Sequence, residues 1–73
     1  MKTKHTARGV GTRIAWRDED GEVTEGEIIA SELKYHAGLG MDLTHVTVRW
    51  DDGLDDTQHT LESLANDDRV RFL

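Results

Sequence analysis

The sequence predicts a single all-β domain in which five short strands curl into a small barrel, with one short helical turn before the last strand. Three observations carry this. Apolar and polar residues alternate with a period of two through several short runs, as in His45-Val46-Thr47-Val48-Arg49-Trp50. Asp-Gly pairs at 20–21 and 52–53 stand between those runs as turn signals, and the chain of 73 residues contains no proline. A chain of this length exposes so much surface that it buries only about 60% of what its unfolded form presents, so one modest core is the most it can build.

The elements follow in order. Gly9 and Gly11 close a basic N-terminal arm over residues 1–9, and the barrel domain takes residues 10–73. In residues 12–17, Thr12, Ile14 and Trp16 alternate with Arg13, Ala15 and Arg17, the pattern of a half-buried first strand. Residues 18–22 hold four acids that cannot be buried together, and Gly21 supplies the positive backbone angle of a tight reversal. A second strand is expected over residues 23–33, with Thr24, Gly26, Ile28 and Ala30 on one face and Val23, Glu25, Glu27 and Ile29 on the other. Gly26 in mid-strand predicts a bulge or sharp bend there. Residues 25–35 contain good helix formers, but β-branched Val23-Thr24 and Ile28-Ile29 and the interrupting Gly26 favour the strand.

Residues 34–43 contain Gly38-Leu39-Gly40 and predict a long loop, the kind of segment on which a small scaffold carries binding residues. The third strand, residues 45–50, turns Val46, Val48 and Trp50 inward and Thr47 and Arg49 outward. Asp51-Asp52-Gly53 then reverses the chain, prolonged by Asp55 and Asp56. Residues 57–61 read as a polar fourth strand. Leu61, Leu64 and Ala65 suit one helical turn whose apolar side plugs the barrel end, stopped by Asn66-Asp67-Asp68. Residues 69–73 form the fifth strand, with Val70 and Phe72 facing in.

Charge divides the chain. Lys2, Lys4, Arg8 and Arg13 fall in the first thirteen residues without an acid; of nine basic and fifteen acidic residues, this leaves five against fifteen, a net of −10, for the rest. An acidic body repels phosphate backbones, whereas the arm supplies a few salt-sensitive phosphate contacts. No cysteine is present, which excludes a disulfide framework and thiolate metal sites and points to a cytoplasmic setting. The start of the chain has positive charge but no apolar run after it, so neither a secretory signal nor a membrane span is expected.

The runs Gly11-Thr12-Arg13-Ile14-Ala15-Trp16, Asp20-Gly21, Gly26-Glu27-Ile28, Val46-Thr47-Val48-Arg49-Trp50-Asp51-Asp52-Gly53 and Leu61-Glu62-Ser63-Leu64 resemble the Tudor-like and KOW-like members of the SH3-like small barrels. Tudor domains read methylated lysine or arginine in an aromatic cage, where a cation meets π faces. The resemblance sets Trp16 at the first cage position, but Thr24, Glu25, Arg49 and Asp52 stand where further rings would be. Trp50 shares the period of Val46 and Val48 and is read as core, and for Trp16 burial beside Ile14 is the alternative to ligand contact. Small barrels of this kind also include a plasmid-borne dihydrofolate reductase type with its active site around an oligomer's pore. Within Thr57-Gln58-His59-Thr60 only Gln58 matches that family's substrate-contacting strand.

Other chemistry finds little support. Asp18, Asp20 and Glu22 do not fit the twelve-residue calcium loop, nor do Asp51, Asp52, Asp55 and Asp56. His45 and His59 fall on strands expected to be neighbours but lack a third zinc ligand. Ser31 and Ser63 lack a nucleophile elbow. No metal and no cofactor is expected. The leading expectation is a non-catalytic module that binds a basic protein surface through Asp18, Asp20, Asp51, Asp52, Asp55 and Asp56, with Trp16 and with Tyr35 from the long loop. The alternative is a nucleic-acid-associated domain using Lys2, Lys4, Arg8, Arg13 and Arg17, joined by Arg69 and Arg71. Oligomeric state is left open.

Overall fold

A computed structural model of the chain describes residues 9–73. The first eight residues of the expected basic arm, with Lys2, Lys4 and Arg8, lie outside the described residues. The remainder forms strands β1 (Arg13–Arg17), β2 (Val23–His36), β3 (Met41–Trp50), β4 (Thr57–Thr60) and β5 (Val70–Phe72), with a helical turn α1 (Leu61–Ala65) between β4 and β5. One antiparallel sheet takes all five strands in the order β4-β3-β2-β1-β5. β4 and β5 are its two edges, and no ladder joins them. All-β content, strand number and the helical turn agree with the sequence.

The alternation read from the sequence builds the core. Ile14, Ile28, Val46, Val48 and Leu64 are buried together, and Trp50, Leu61, Val70 and Phe72 pack half-buried against them. Residue 14 faces Phe72 across the β1–β5 ladder and Gly26 across β1–β2, so both sheet neighbours of Ile14 hold it to the inside. Thr12 lies buried at the start of this face, and its hydroxyl has no hydrogen-bond partner among the described residues. Leu64 of α1 closes the core from the end of the sheet, as its spacing from Leu61 implied.

Two sequence expectations are corrected. Residues 34–43 are not a long loop: β2 and β3 continue past the core as a two-stranded ribbon, with ladder pairs as far as His36↔Met41, and only the four residues 37–40 turn. The ladder satisfies its backbone groups whether or not the side chains are buried. Solvent exposure of Glu32, Leu33, Lys34 and Tyr35 therefore does not end the strand. The irregularity in β2 also lies elsewhere. Gly26 pairs regularly with Ile14 and Trp50, and the register shift falls between Ile28 and Ala30. That bulge reverses which side chains face inward, so Ala30 leaves the Ile28 face and is exposed, while Ser31 comes opposite Val46. Among the described residues, no helix is long and apolar enough to cross a membrane.

Candidate functional site

β1, β3, β4, α1 and β5 enclose a groove of about 420 Å³ that reaches from one sheet edge to the other. Trp16 at the end of β1 and Trp50 at the end of β3 supply its aromatic surface. Both occupy inward places in their strand alternation but sit at strand ends, where the core runs out, and each is half-buried. Leu54, Leu64 and Val70 complete the apolar lining, and Asp52, Asp55, Thr57, His59, Asp67 and Arg69 provide the polar rim.

A hydrogen bond fixes one indole and a guanidinium covers the other. Trp50 Nε1 donates to Thr57 Oγ1 at 2.8 Å, and Thr57 Oγ1 lies 2.7 Å from His59 Nε2. Desolvation by burial pushes the His59 imidazole below its ordinary value. The neutral ring can accept the Thr57 hydroxyl proton at Nε2, so indole, hydroxyl and imidazole form one relay that orients Trp50. Trp16 is instead covered by Arg69, whose guanidinium carbon lies 5.6 Å from the ring centroid. Asp67 holds that guanidinium in a forked ion pair, with bonds of 3.1 Å from Nε and 3.0 Å from Nη2. The side-chain hydrogen bonds from Arg69, with its backbone N–H, keep the Asp67 carboxyl below the usual carboxylate range.

Two carboxylates at the rim are not committed in this way. Asp52 accepts the Leu54 N–H at 3.0 Å, which shapes its turn, and neither Asp52 nor Asp55 forms an ion pair with another described residue. An apolar groove with the Trp50 indole, a Trp16 indole already stacked by a guanidinium, and two carboxylates outside any ion pair suits a cation with an apolar body.

No protein-family model, no curated protein and no solved structure matches the chain.

The remaining sequence candidates are distributed around the molecule. Of the expected binding residues, the groove gathers Trp16, Asp52 and Asp55. Asp51 pairs with Arg13, which also reaches Glu25 at 3.4 Å and Glu27 at 3.8 Å. Asp56 pairs with Arg49 at 3.5 Å. Asp18 caps its own turn by accepting the N–H groups of Asp20 and Glu22, each at 2.9 Å, and Asp20 stands exposed on that turn. Tyr35 projects from the ribbon and lines no part of the groove.

Arg13 and Arg17 alternate with the inward residues of β1, and Arg71 lies opposite Ala15, so these three share the outer face. Arg69 does not join them, since it turns onto Trp16. Arg13 is surrounded by carboxylates, which weakens that face as a phosphate-binding surface. Gln58 is exposed on β4 and is not part of the groove. His45 and His59 do not converge: His59 joins Thr57, whereas His45 Nε2 lies 2.7 Å from His36 Nε2 with the two rings stacked. Among the described residues, no three His, Asp or Glu side chains gather as a metal-holding group.

Sequence reasoning missed Trp50, His59 and Arg69 as groove residues. For Trp50 the available signal was its place as the last residue before Asp51-Asp52-Gly53, where a strand leaves the core and one ring face becomes accessible.

Proposed function

We propose that the chain is a non-catalytic binding module with the SH3-like barrel plan, whose groove receives a cationic side chain from a basic protein partner. The barrel plan is supported by β5 lying beside β1 and by the helical turn just before β5, as in the small barrels that the sequence resembles. The observation that carries the functional reading is the meeting of Trp16 and Trp50 with Asp52 and Asp55 around one apolar groove. Arg69 provides an internal example of the contact, since it lays a guanidinium against Trp16. A partner's arginine or lysine would rest its aliphatic stem on Leu54 and the Trp50 indole and bring its charge to the two carboxylates. Long-range attraction by the acidic body accelerates encounter with a basic surface and selects against acidic ones.

Tryptophan fluorescence tests this directly, because both indoles belong to the site. Titration with a short arginine-rich peptide is expected to give a saturable change that weakens with added salt. The double substitution D52N/D55N should weaken that binding by about tenfold, equivalent to roughly 1.4 kcal/mol. A glutamate-rich peptide of equal length should give no change. The reading is overturned if the arginine-rich peptide gives no saturable response, or if D52N/D55N binds it as tightly as the parent chain. Binding to generic RNA or DNA without any peptide response would replace it with the nucleic-acid alternative.

A further inference from the structure

Among the described residues, the outer side of β2 is covered along only half its length. β1 pairs with residues 23–27, and the last bonds on this side join Gly11 N–H to the Ile28 carbonyl at 2.8 Å and Ile28 N–H to the Thr12 carbonyl at 2.9 Å. From residue 30 to residue 36, β2 pairs with β3 on its other side, and no described residue pairs with the outer one.

Backbone parity determines what that edge offers. Before the bulge the even-numbered residues of β2, Ile28 among them, turn their backbone groups towards β1, and the odd-numbered ones turn towards β3, as the Asp51 N–H to Glu25 carbonyl bond demonstrates. The register shift between Ile28 and Ala30 reverses this. Beyond it Ser31, Leu33 and Tyr35 present N–H and C=O to the open edge. Native sheets blunt such edges with proline, bulges or isolated lysines, because an uncovered edge templates a further strand. This edge carries no proline, its only lysine is offset by Glu32 at 3.9 Å, and Leu33 and Tyr35 are 65% and 67% exposed on one face.

The segment Ser31-Glu32-Leu33-Lys34-Tyr35 is complementary to itself when reversed. If two copies pair antiparallel about Leu33, Glu32 meets the partner's Lys34 and Lys34 meets the partner's Glu32. On the opposite face Leu33 meets the partner's Leu33, and Tyr35 meets the partner's Ser31. Leu33 is a residue whose backbone groups point outward, so the central pair is one that exchanges both of its hydrogen bonds. We propose that this edge is the contact of a two-fold symmetric dimer, with a second copy of the chain as its occupant. Charge pairing fixes the register, since a slip by two residues sets the partner's Lys34 opposite Lys34 or Glu32 opposite Glu32.

Sedimentation equilibrium on the full 73-residue chain tests the proposal. The chain is expected to pass from monomer to dimer as its concentration rises, with amide exchange at Leu33 slowing in step. Lys34→Glu converts both charge pairs to like-charge pairs and should loosen the dimer by about tenfold or more. The swap E32K/K34E restores opposite charges and should recover the dimer, a result that a merely damaged fold would not give. Leu33→Pro removes an outward N–H without touching the β2–β3 ladder and should abolish association while tryptophan fluorescence stays native. A chain that remains monomeric to millimolar concentration overturns the proposal, as does a dimer indifferent to Lys34→Glu and Leu33→Pro. Slow exchange at Leu33 that does not depend on concentration also overturns it, since the chain's own N-terminal segment would then be the occupant.

Discussion

Gly26 lies where β2 passes beneath Trp50, one of the two indoles of the groove. A β-carbon there would stand 2.8 Å from Trp50 Cε3, 2.8 Å from the Arg49 carbonyl oxygen and 2.9 Å from Val48 Cγ1. The carbonyl oxygen belongs to the ladder and cannot swing aside, so Gly26→Ala is expected to cost about 1–3 kcal/mol, seen as a lower denaturant midpoint with an unchanged slope. Mid-strand glycine was visible in the sequence. Its reason was not, because close approach of a neighbouring ring and a bulge leave the same mark on a single strand. His59 supports a second expectation at this scale. Burial lowers its pKa from the unfolded 6.5, so the unfolded chain binds the proton more readily than the folded one. Stability is therefore undiminished above that value and declines as pH falls through 6.5 towards the lower folded value. Denaturant midpoints measured between neutral pH and pH ~5 should fall for the parent chain and fall less for His59→Gln.

At the scale of elements, α1 is short and depends on its cap. Thr60 Oγ1 accepts the Ser63 N–H at 3.2 Å, and Ser63 Oγ returns a bond to the Thr60 carbonyl at 2.9 Å. One turn cannot stand by its own hydrogen bonds, so Thr60→Ala should cost about 1 kcal/mol, measurable as a lower thermal midpoint. The loss should reach the groove, because Leu64 and Ser63 of α1 line it. Elements with a buried side were legible: Val46, Val48 and Trp50 declared β3, and Ile14 between Thr12 and Trp16 declared β1. The ribbon was not. Between Leu33 and Leu43 no side chain is buried enough to impose a period on the sequence, and Gly38-Leu39-Gly40 reads equally well as a long loop or as a four-residue turn.

For the whole molecule, the order of elements and the residues of the core were within reach of the sequence, since each strand reports its own inward face. Assembly of the groove was not. Trp16, Trp50, His59 and Arg69 come from four separate segments, and no local pattern relates a tryptophan on β1 to one on β3. The acid clusters illustrate the same limit: of six aspartates read alike as partner-binding, folding commits Asp51 and Asp56 to arginines and Asp18 to its own turn, leaves Asp20 exposed on that turn away from the groove, and leaves Asp52 and Asp55 in the groove with the indoles.

The missing ladder between β4 and β5 gives the domain a compliant side. Each neighbouring pair in the order β4-β3-β2-β1-β5 is stitched at a fixed spacing, whereas the two end strands are tethered through α1 and the residues on either side of it. Spreading them breaks no rung, so the β4–β5 side of the groove can yield while Trp16 and Trp50, on strands both laddered to β2, keep their register.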